Sequence, residues 1–343
     1  MNSLIVLLGV VGLLPSIVCG GLALNATEKL MSTYKDARKY NEVCWLTAHN
    51  AFSSKADGWM YYQQTLGFEE QYAYGVRSFQ IDLHWYKPIG GGNPYIALCH
   101  EIAPGYEMLP GYDCSATLFQ LALGSPKPAK EFFEQVARWL SADSEAIVTL
   151  HLENYVKGPE GKKALNKLLK ETGLKQYLLK PTFLFEQGDW RTLGQMRREG
   201  TRLVIFSDNP EDGMINVRAY RETKYSLAAF PNCEMRGEGR DKMKIKPLLL
   251  LNHFYSRSVM IGSYNDINSY NAIAKRVNIC HKEQGRLPNF IAVDFIELGA
   301  DGGAREVAGR LNLESASMFA YFSGNDVLDA TTPAQSILFH DDL

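Results

Sequence analysis

Seven histidines are spread through the chain, and several stand in short blocks beside an amide or a carboxylate: His49-Asn50, Asp82-Leu83-His84, His100-Glu101, His151-Leu152-Glu153 and Asn252-His253. Histidine titrates near neutrality, so one imidazole can take a proton from an attacking hydroxyl while another delivers one to a leaving alkoxide. Phosphodiester cleavage needs that pairing, together with positive charge against the phosphate oxygens. Asn50, Asp82 and Glu153 offer one amide and two carboxylate oxygens, a hard donor set that suits Ca²⁺ better than Zn²⁺. The alternative is that the two carboxylates hold His49 and His100 by hydrogen bonds. No cysteine pair has zinc-ligand spacing, and neither a Walker loop nor an HExxH helix is present.

These residues cluster at the ends of apolar runs. VCWLTAH, VRSFQIDLHW, YIALCH, AIVTLHLEN, RLVIFSD, KPLLLLNHF and NFIAVDFIE read as seven strands. Between them lie amphipathic stretches, among them 127–140, 161–172 and 264–284, whose apolar residues recur at three and four. Strands alternating with helices predict a parallel sheet, and runs such as LLLL predict one buried on both faces. An eighth, weaker strand is expected near 225–230. The fold expected is therefore α/β, an irregular (β/α)8 barrel of TIM type, with its active site at the carboxyl ends of the strands. His49-Asn50, Gln80, Asp82, His84, His100, His151, Glu153, Asn252, His253, Asp294 and Glu297 all fall there.

The whole chain has 343 residues, 46% hydrophobic and 22% charged, with a net charge of −2. This composition is globular and excludes a collagen, a disordered tail or a general nucleic-acid binder. Residues 1–20 read as a secretory signal peptide, because 4–19 are almost wholly apolar and small residues precede Gly21. The mature protein is expected to be extracellular, one domain over 21–343 with its core at about 41–312, and Asn25-Ala26-Thr27 is a glycosylation acceptor. Of six cysteines, Cys19 leaves with the leader; two disulfides and one spare thiol are expected, the spare being Cys44 in its apolar strand. Cys99 with Cys114 and Cys233 with Cys280 is one connectivity, which the sequence alone does not fix. Further features are open to two readings: 236–246 as a solvated basic loop rather than a contact for anionic lipid or phosphate, Gly299 to Gly303 as a phosphate-holding loop or a plain turn, and Trp59, Tyr61, Tyr62 and Phe68 as either an apolar rim or core.

The blocks LTAHNAF, GVRSFQIDLHW, ALCHE, EAIVTLHLENYV, LLNHF and NFIAVDF, in this order over about 41–312, resemble the phosphatidylinositol-specific phospholipase C X-domain family. The likeness is to its secreted single-barrel members, and it implies the same irregular TIM barrel. It further implies that His49 is the first catalytic histidine, that His100 is the general acid toward the diacylglycerol oxygen, and that Asp294 orients His49. Asn50, Asp82 and Glu153 match calcium ligands; metal-free bacterial relatives carry an arginine at the position of Asp82. Gln80 stands where the family has a further glutamate ligand, which removes one negative charge and lowers the expected affinity for Ca²⁺. Gln80, His84, Asn252 and His253 are candidate substrate contacts.

The activity so implied is a phospholipase C-type phosphodiesterase acting on phosphoinositide or glycosylated inositol lipids. It would work as a monomer in peripheral contact with a membrane, without nucleic acid. Two alternatives remain in view: a phospholipase D-like or glycerophosphodiester-type phosphodiesterase, and a lipid-binding protein that kept the barrel and lost turnover. Gln80 favours the last, while the histidine pair argues against it.

Overall fold

The computed structural model of the chain describes residues 34–59, 62–88, 92–99, 126–180, 189–210, 213–217, 220–224, 232–236, 248–255 and 264–322. Among the described residues ten strands form one sheet: β1 (Trp45–Ala48), β2 (Ser78–Tyr86), β3 (Tyr95–Leu98), β4 (Lys127–Pro128), β5 (Val148–Asn154), β6 (Leu203–Ser207), β7 (Ile215–Asn216), β8 (Tyr220–Glu222), β9 (Leu248–Asn252) and β10 (Phe290–Val293). Eight of them follow one path, β7-β6-β5-β2-β1-β10-β9-β8, with every neighbouring pair parallel. The sheet curls into a barrel that stays open between β7 and β8, whose strands do not pair among the described residues.

All seven expected runs form strands, but YIALCH does not join the parallel series. It becomes β3, which pairs antiparallel with the far end of β2 and leads into β4. The positions it leaves in the barrel are filled by β7 and β8, two and three residues long. The stretch 225–230, where a further strand is expected, lies outside the described residues; β8 precedes it.

Alternation along the parallel strands sorts their side chains into two layers. Leu46, Phe79, Ile81, Leu150, Ile205, Leu249, Leu251 and Ile291 pack outward with helix residues such as Phe132, Phe133, Val136, Leu165, Val277 and Val307. Val204, Phe206, Tyr220, Leu248, Leu250 and Phe290 fill the inside of the curl. The covering helices are α1 (Phe68–Tyr74), α2 (Ala129–Ala142), α3 (Gly158–Glu171), α4 (Leu193–Glu199), α5 (Tyr264–Ile267), α6 (Tyr270–Gln284) and α7 (Gly303–Phe322). Helix α2 forms because Phe132, Phe133, Val136, Trp139 and Leu140 recur on one buried face. The expected helix over 264–284 is broken in two: Ser269 caps α6, its hydroxyl accepting from the Ala272 amide, and Gly285 closes it at φ 68°.

Cys233 and Cys280 form a disulfide, and Cys44 is free and buried, as the sequence leads one to expect. Cys99 is also disulfide-bonded; Cys114, its expected partner, lies outside the described residues, as do the leader, Asn25 and His100. Trp59 and Phe68 pack with the core, so they do not form an exposed rim. No helix among the described residues is long and apolar enough to cross a membrane.

Candidate active site

The inward-facing layer changes character along the strands. Deep in the curl it is apolar or neutral; at the carboxyl ends it becomes polar, through His49 after β1, Gln80, Asp82 and His84 on β2, Glu153 on β5, Asp208 after β6, Glu222 on β8, Asn252 on β9 and Asp294 after β10. Register brings neighbours level: Gln80 pairs with His151, and Asp82 with Glu153. Parallel strands place these ends at one mouth, so residues far apart in sequence meet.

His49 and Asp294 meet most closely. His49 Nδ1 lies 2.7 Å from Asp294 Oδ1, the carboxylate wholly buried and the imidazole 16% exposed. Asp294 Oδ2 also accepts from the Tyr264 hydroxyl at 3.3 Å. A carboxylate there accepts only, so His49 carries its proton on Nδ1 and leaves Nε2 as the acceptor toward the mouth. The ring is held in that plane by Phe254, stacked at 3.5 Å and 5°. Gln64, fully buried, donates Nε2 to the His49 carbonyl at 2.7 Å and to the Val293 carbonyl at 3.1 Å, and its Oε1 accepts from the Ile296 amide at 3.0 Å. It ties the two strand ends together. Both dyad residues are followed by a left-handed residue, Asn50 at φ 41° and Phe295 at φ 49°. For a bulky side chain such as Phe295 that conformation is strained, and strain of this kind collects at functional sites.

The carboxylates form the second half of the mouth. Asp82 is buried, and desolvation first, then the charges of Glu153 and Asp208, hold its carboxyl well above the usual carboxylate range. Asn50 donates its amide Nδ2 to Gln63 Oε1 at 2.7 Å, which orients its Oδ1 the other way. Gln80 Oε1 is buried with no hydrogen-bond partner. This donor chemistry, crowded oxygens with excess negative charge, fits a hard divalent cation. Among the described residues no three His, Cys, Asp or Glu side chains gather at metal-holding distance. Any cation would therefore lean on the amide oxygens of Asn50 and Gln80 beside Asp82 and Glu153.

The family model described as PI-PLC X 1 matches residues 114–311, more than half of the chain. The chain belongs to the PI-PLC X family. A PI-PLC X domain-containing protein of Arabidopsis thaliana is 28% identical over 290 residues, covering 80% of this chain and 62% of that protein. A protein of Arthroderma benhamiae described as an uncharacterized secreted protein is 22% identical over 302 residues, covering 80% of this chain and 62% of that one. The chain thus spans less than two thirds of the length of these two relatives. Among solved structures, phosphatidylinositol-specific phospholipase C from Listeria monocytogenes superposes with a TM-score of 0.50 at 12% identity, over 83% of this chain and 97% of that chain. The fold is that of the PI-PLC barrels.

Glu153, Asn252 and Asp294 lie within the segment that matches the PI-PLC X family, and His49, Asn50, Gln80, Asp82, His84 and His100 precede it. His100 falls outside the described residues. Leu98, on β3, pairs with Leu83, the neighbour of Asp82. His84 stacks on Tyr155 at 4.3 Å. Asn252 donates Nδ2 to Glu222 Oε2 at 3.3 Å and to the Thr223 carbonyl at 2.9 Å. His253 stands apart from this group. Its Nε2 bonds the Ile267 carbonyl at 2.8 Å, Arg276 adjoins Nδ1 at 3.5 Å, and burial with that cation pushes the imidazole down to about 3. It follows Asn252 by one residue and so points out of the curl. His151 is likewise inert, pushed down to about 3 by burial, its Nε2 3.1 Å from Ser78 Oγ. Sequence reasoning overlooked Gln64, Tyr264, Asp208 and Glu222. Asp208 closes the run RLVIFSD and the strand-end rule alone finds it; Gln64 lies in a connecting segment that carries no periodic signal, and Tyr264 opens the amphipathic stretch 264–284, where it reads as an ordinary helix residue.

Proposed function

We propose that this PI-PLC X family member is a secreted phospholipase C-type phosphodiesterase that cleaves the glycerol–phosphate bond of inositol phospholipids. The observation that carries the reading is the His49–Asp294 dyad with its buried carboxylate, at the same end of the sheet whose strands carry Gln80, Asp82 and Glu153. His49 Nε2 removes the proton from the inositol 2-hydroxyl as that oxygen attacks phosphorus. Asp294 stabilises the imidazolium so formed, and Phe254 keeps its plane. The bond from phosphorus to the glycerol oxygen breaks, and the family likeness gives His100 the task of protonating that oxygen. Asn50, Asp82 and Glu153, with Gln80, would hold Ca²⁺, which when bound supplies positive charge to the phosphate oxygens. The apolar leader at 1–20 and the secreted Arthroderma relative support an extracellular location.

Phosphorus NMR of the purified protein with phosphatidylinositol tests this directly. A cyclic inositol phosphate should appear with Ca²⁺, fall away with a chelator, and vanish in His49→Ala and His100→Ala. Product that resists the chelator retains the enzyme without the metal; no product from inositol, choline or glycerol phosphodiesters leaves a lipid-binding barrel.

A further inference from the structure

The charge of the chain is unevenly placed. Residues 157–180 hold seven lysines and two glutamates, with no arginine, aspartate or histidine, although the whole chain has a net charge of −2. All seven lysines are exposed. Four of them, Lys162, Lys163, Lys167 and Lys170, lie on α3. At about 3.6 residues per turn, Gly161, Leu165, Leu168 and Leu169 make its buried face and the four lysines spread over the opposite one. Glu160 and Glu171 share one edge of the helix, and Glu171 lines a groove with Glu134 and Arg138 of α2. Lys167 Nζ reaches back to Glu171 at 3.6 Å, with the two side chains 71% and 49% exposed. The acids of α3 therefore turn toward α2, and the middle of its outward face stays cationic.

This face has a defined place on the barrel. Strand β5 ends at Asn154, at the mouth, and α3 begins at Gly158. A 3-10 turn, Leu174–Tyr177, follows, and the Leu179 amide then donates to the Leu203 carbonyl at 2.8 Å, beside the first residue of β6. Because β5 and β6 are parallel, Leu203 lies at the opposite end of the sheet from the mouth. The lysine face thus runs down the outer wall from mouth toward base, over about 21 Å for the 14 residues of the helix. Lys157 and Lys175 stand just beyond its two ends.

A flat bilayer laid across the mouth would meet only the first turn of such a stripe, whereas a linear polyanion lying along the wall meets all of it. Lysine supplies hydrated point charges in place of the planar fork of arginine, so the face reads charge density and not one fixed phosphate or carboxylate geometry. The helix also carries no aromatic ring on which a nucleic-acid base could stack. We propose that the lysine face of α3 is a docking surface for an acidic polysaccharide, a carboxylated or sulfated chain outside the cell. The proposal takes the extracellular location from the reading above and is independent of the phosphodiesterase activity.

Fluorescence anisotropy of the purified protein with labelled polygalacturonate and labelled dextran sulfate tests it, with neutral dextran as the blank. The wild-type protein should bind both polyanions and not the blank, and binding should weaken steeply as salt rises from about 0.05 to about 0.2 M. The quadruple variant Lys162→Gln, Lys163→Gln, Lys167→Gln, Lys170→Gln should bind roughly tenfold more weakly or worse, with a flatter salt dependence. A second quadruple variant, Lys35→Gln, Lys130→Gln, Lys275→Gln, Lys282→Gln, removes the same charge at lysines exposed elsewhere. Its affinity should change by less than about twofold, since distant exposed charges are screened. Glutamine has nearly the helix propensity of lysine, and thermal melts check that both variants fold. Equal losses in the two variants, or no wild-type binding beyond the blank, overturns the proposal. Wild-type binding to phosphatidylserine vesicles or to DNA, but to neither polysaccharide, overturns it as well. Neither set of lysines belongs to the candidate active site, so polysaccharide binding without turnover of phosphatidylinositol would sink the enzymatic reading and leave this surface standing.

Discussion

At the scale of single residues, function turns on which proton His49 carries. Asp294 Oδ1 at 2.7 Å fixes it on Nδ1. In Asp294→Asn the side chain keeps its shape but offers an amide that can donate where only acceptance is useful. The imidazole is then drawn into the wrong tautomer and loses the charge that steadies its protonated form. We expect kcat on phosphatidylinositol to fall by about 10²–10⁴-fold with KM little changed. Steady-state kinetics checks this, and a variant with full kcat would remove Asp294 from the mechanism. The pairing was legible in the sequence only through the family likeness, because 245 residues separate the two side chains. The strand-end rule alone found both residues without saying that they touch. That rule also over-reached at His253: one position beyond Asn252 on a strand is the opposite face, and there the imidazole serves Ile267 and Arg276.

At the scale of elements, the site depends on two strand ends being held in step. Gln64 does this with three hydrogen bonds, to the carbonyls of His49 and Val293 and from the amide of Ile296. Gln64→Leu would leave two buried carbonyls and one buried amide without this partner. At about 1–3 kcal/mol for each unsatisfied group, partly relieved by relaxation, the variant should lose several kcal/mol of stability. It should also lose activity beyond what its unfolded fraction explains, which kinetics and denaturant melts measured together would show. Unchanged kcat in the folded fraction would make Gln64 a purely structural tie. The turn after β10 offers a second test. Gly299 stands at φ 130°, and a Cβ there would come within 2.2 Å of the Asn268 carbonyl. Asn268 in turn donates to the Asp294 carbonyl at 2.7 Å. Gly299→Ala should therefore lower the melting temperature and disturb the dyad, and a neutral result would show that the turn yields freely. Elements this short explain where sequence reading stops. Long apolar runs announce β1, β2, β5, β6, β9 and β10, but two or three residues at β7 and β8 carry no periodicity to detect. β3 reads like any other strand, because alternation does not encode the direction of its partner.

At the scale of the whole molecule, two histidines are buried neutral in the fold, His151 within the curl and His253 behind β9, each pushed down to about 3. In the unfolded chain they would titrate near 6.5. Above that value neither state binds the proton and stability is unaffected by pH through these groups. Below it the unfolded chain takes up protons that the fold refuses, so stability declines as pH falls from about 6.5 toward about 3. Each histidine contributes a slope of about 1.4 kcal/mol per pH unit once fully inside that window. Asp82 acts the other way, because burial and its acidic neighbours raise its carboxyl and the fold binds that proton more readily than the open chain. The histidine slope is therefore read most cleanly in an Asp82→Asn background, by denaturant melts between pH 7 and about 4. We expect a loss with acidity that becomes roughly half as steep when His253→Gln is added, since glutamine can still donate toward the Ile267 carbonyl but takes up no proton. A flat profile over that range would mean that the barrel admits protonated histidine at both places. The apolar packing of Phe206, Tyr220 and Phe290 around the His151 ring argues against that outcome.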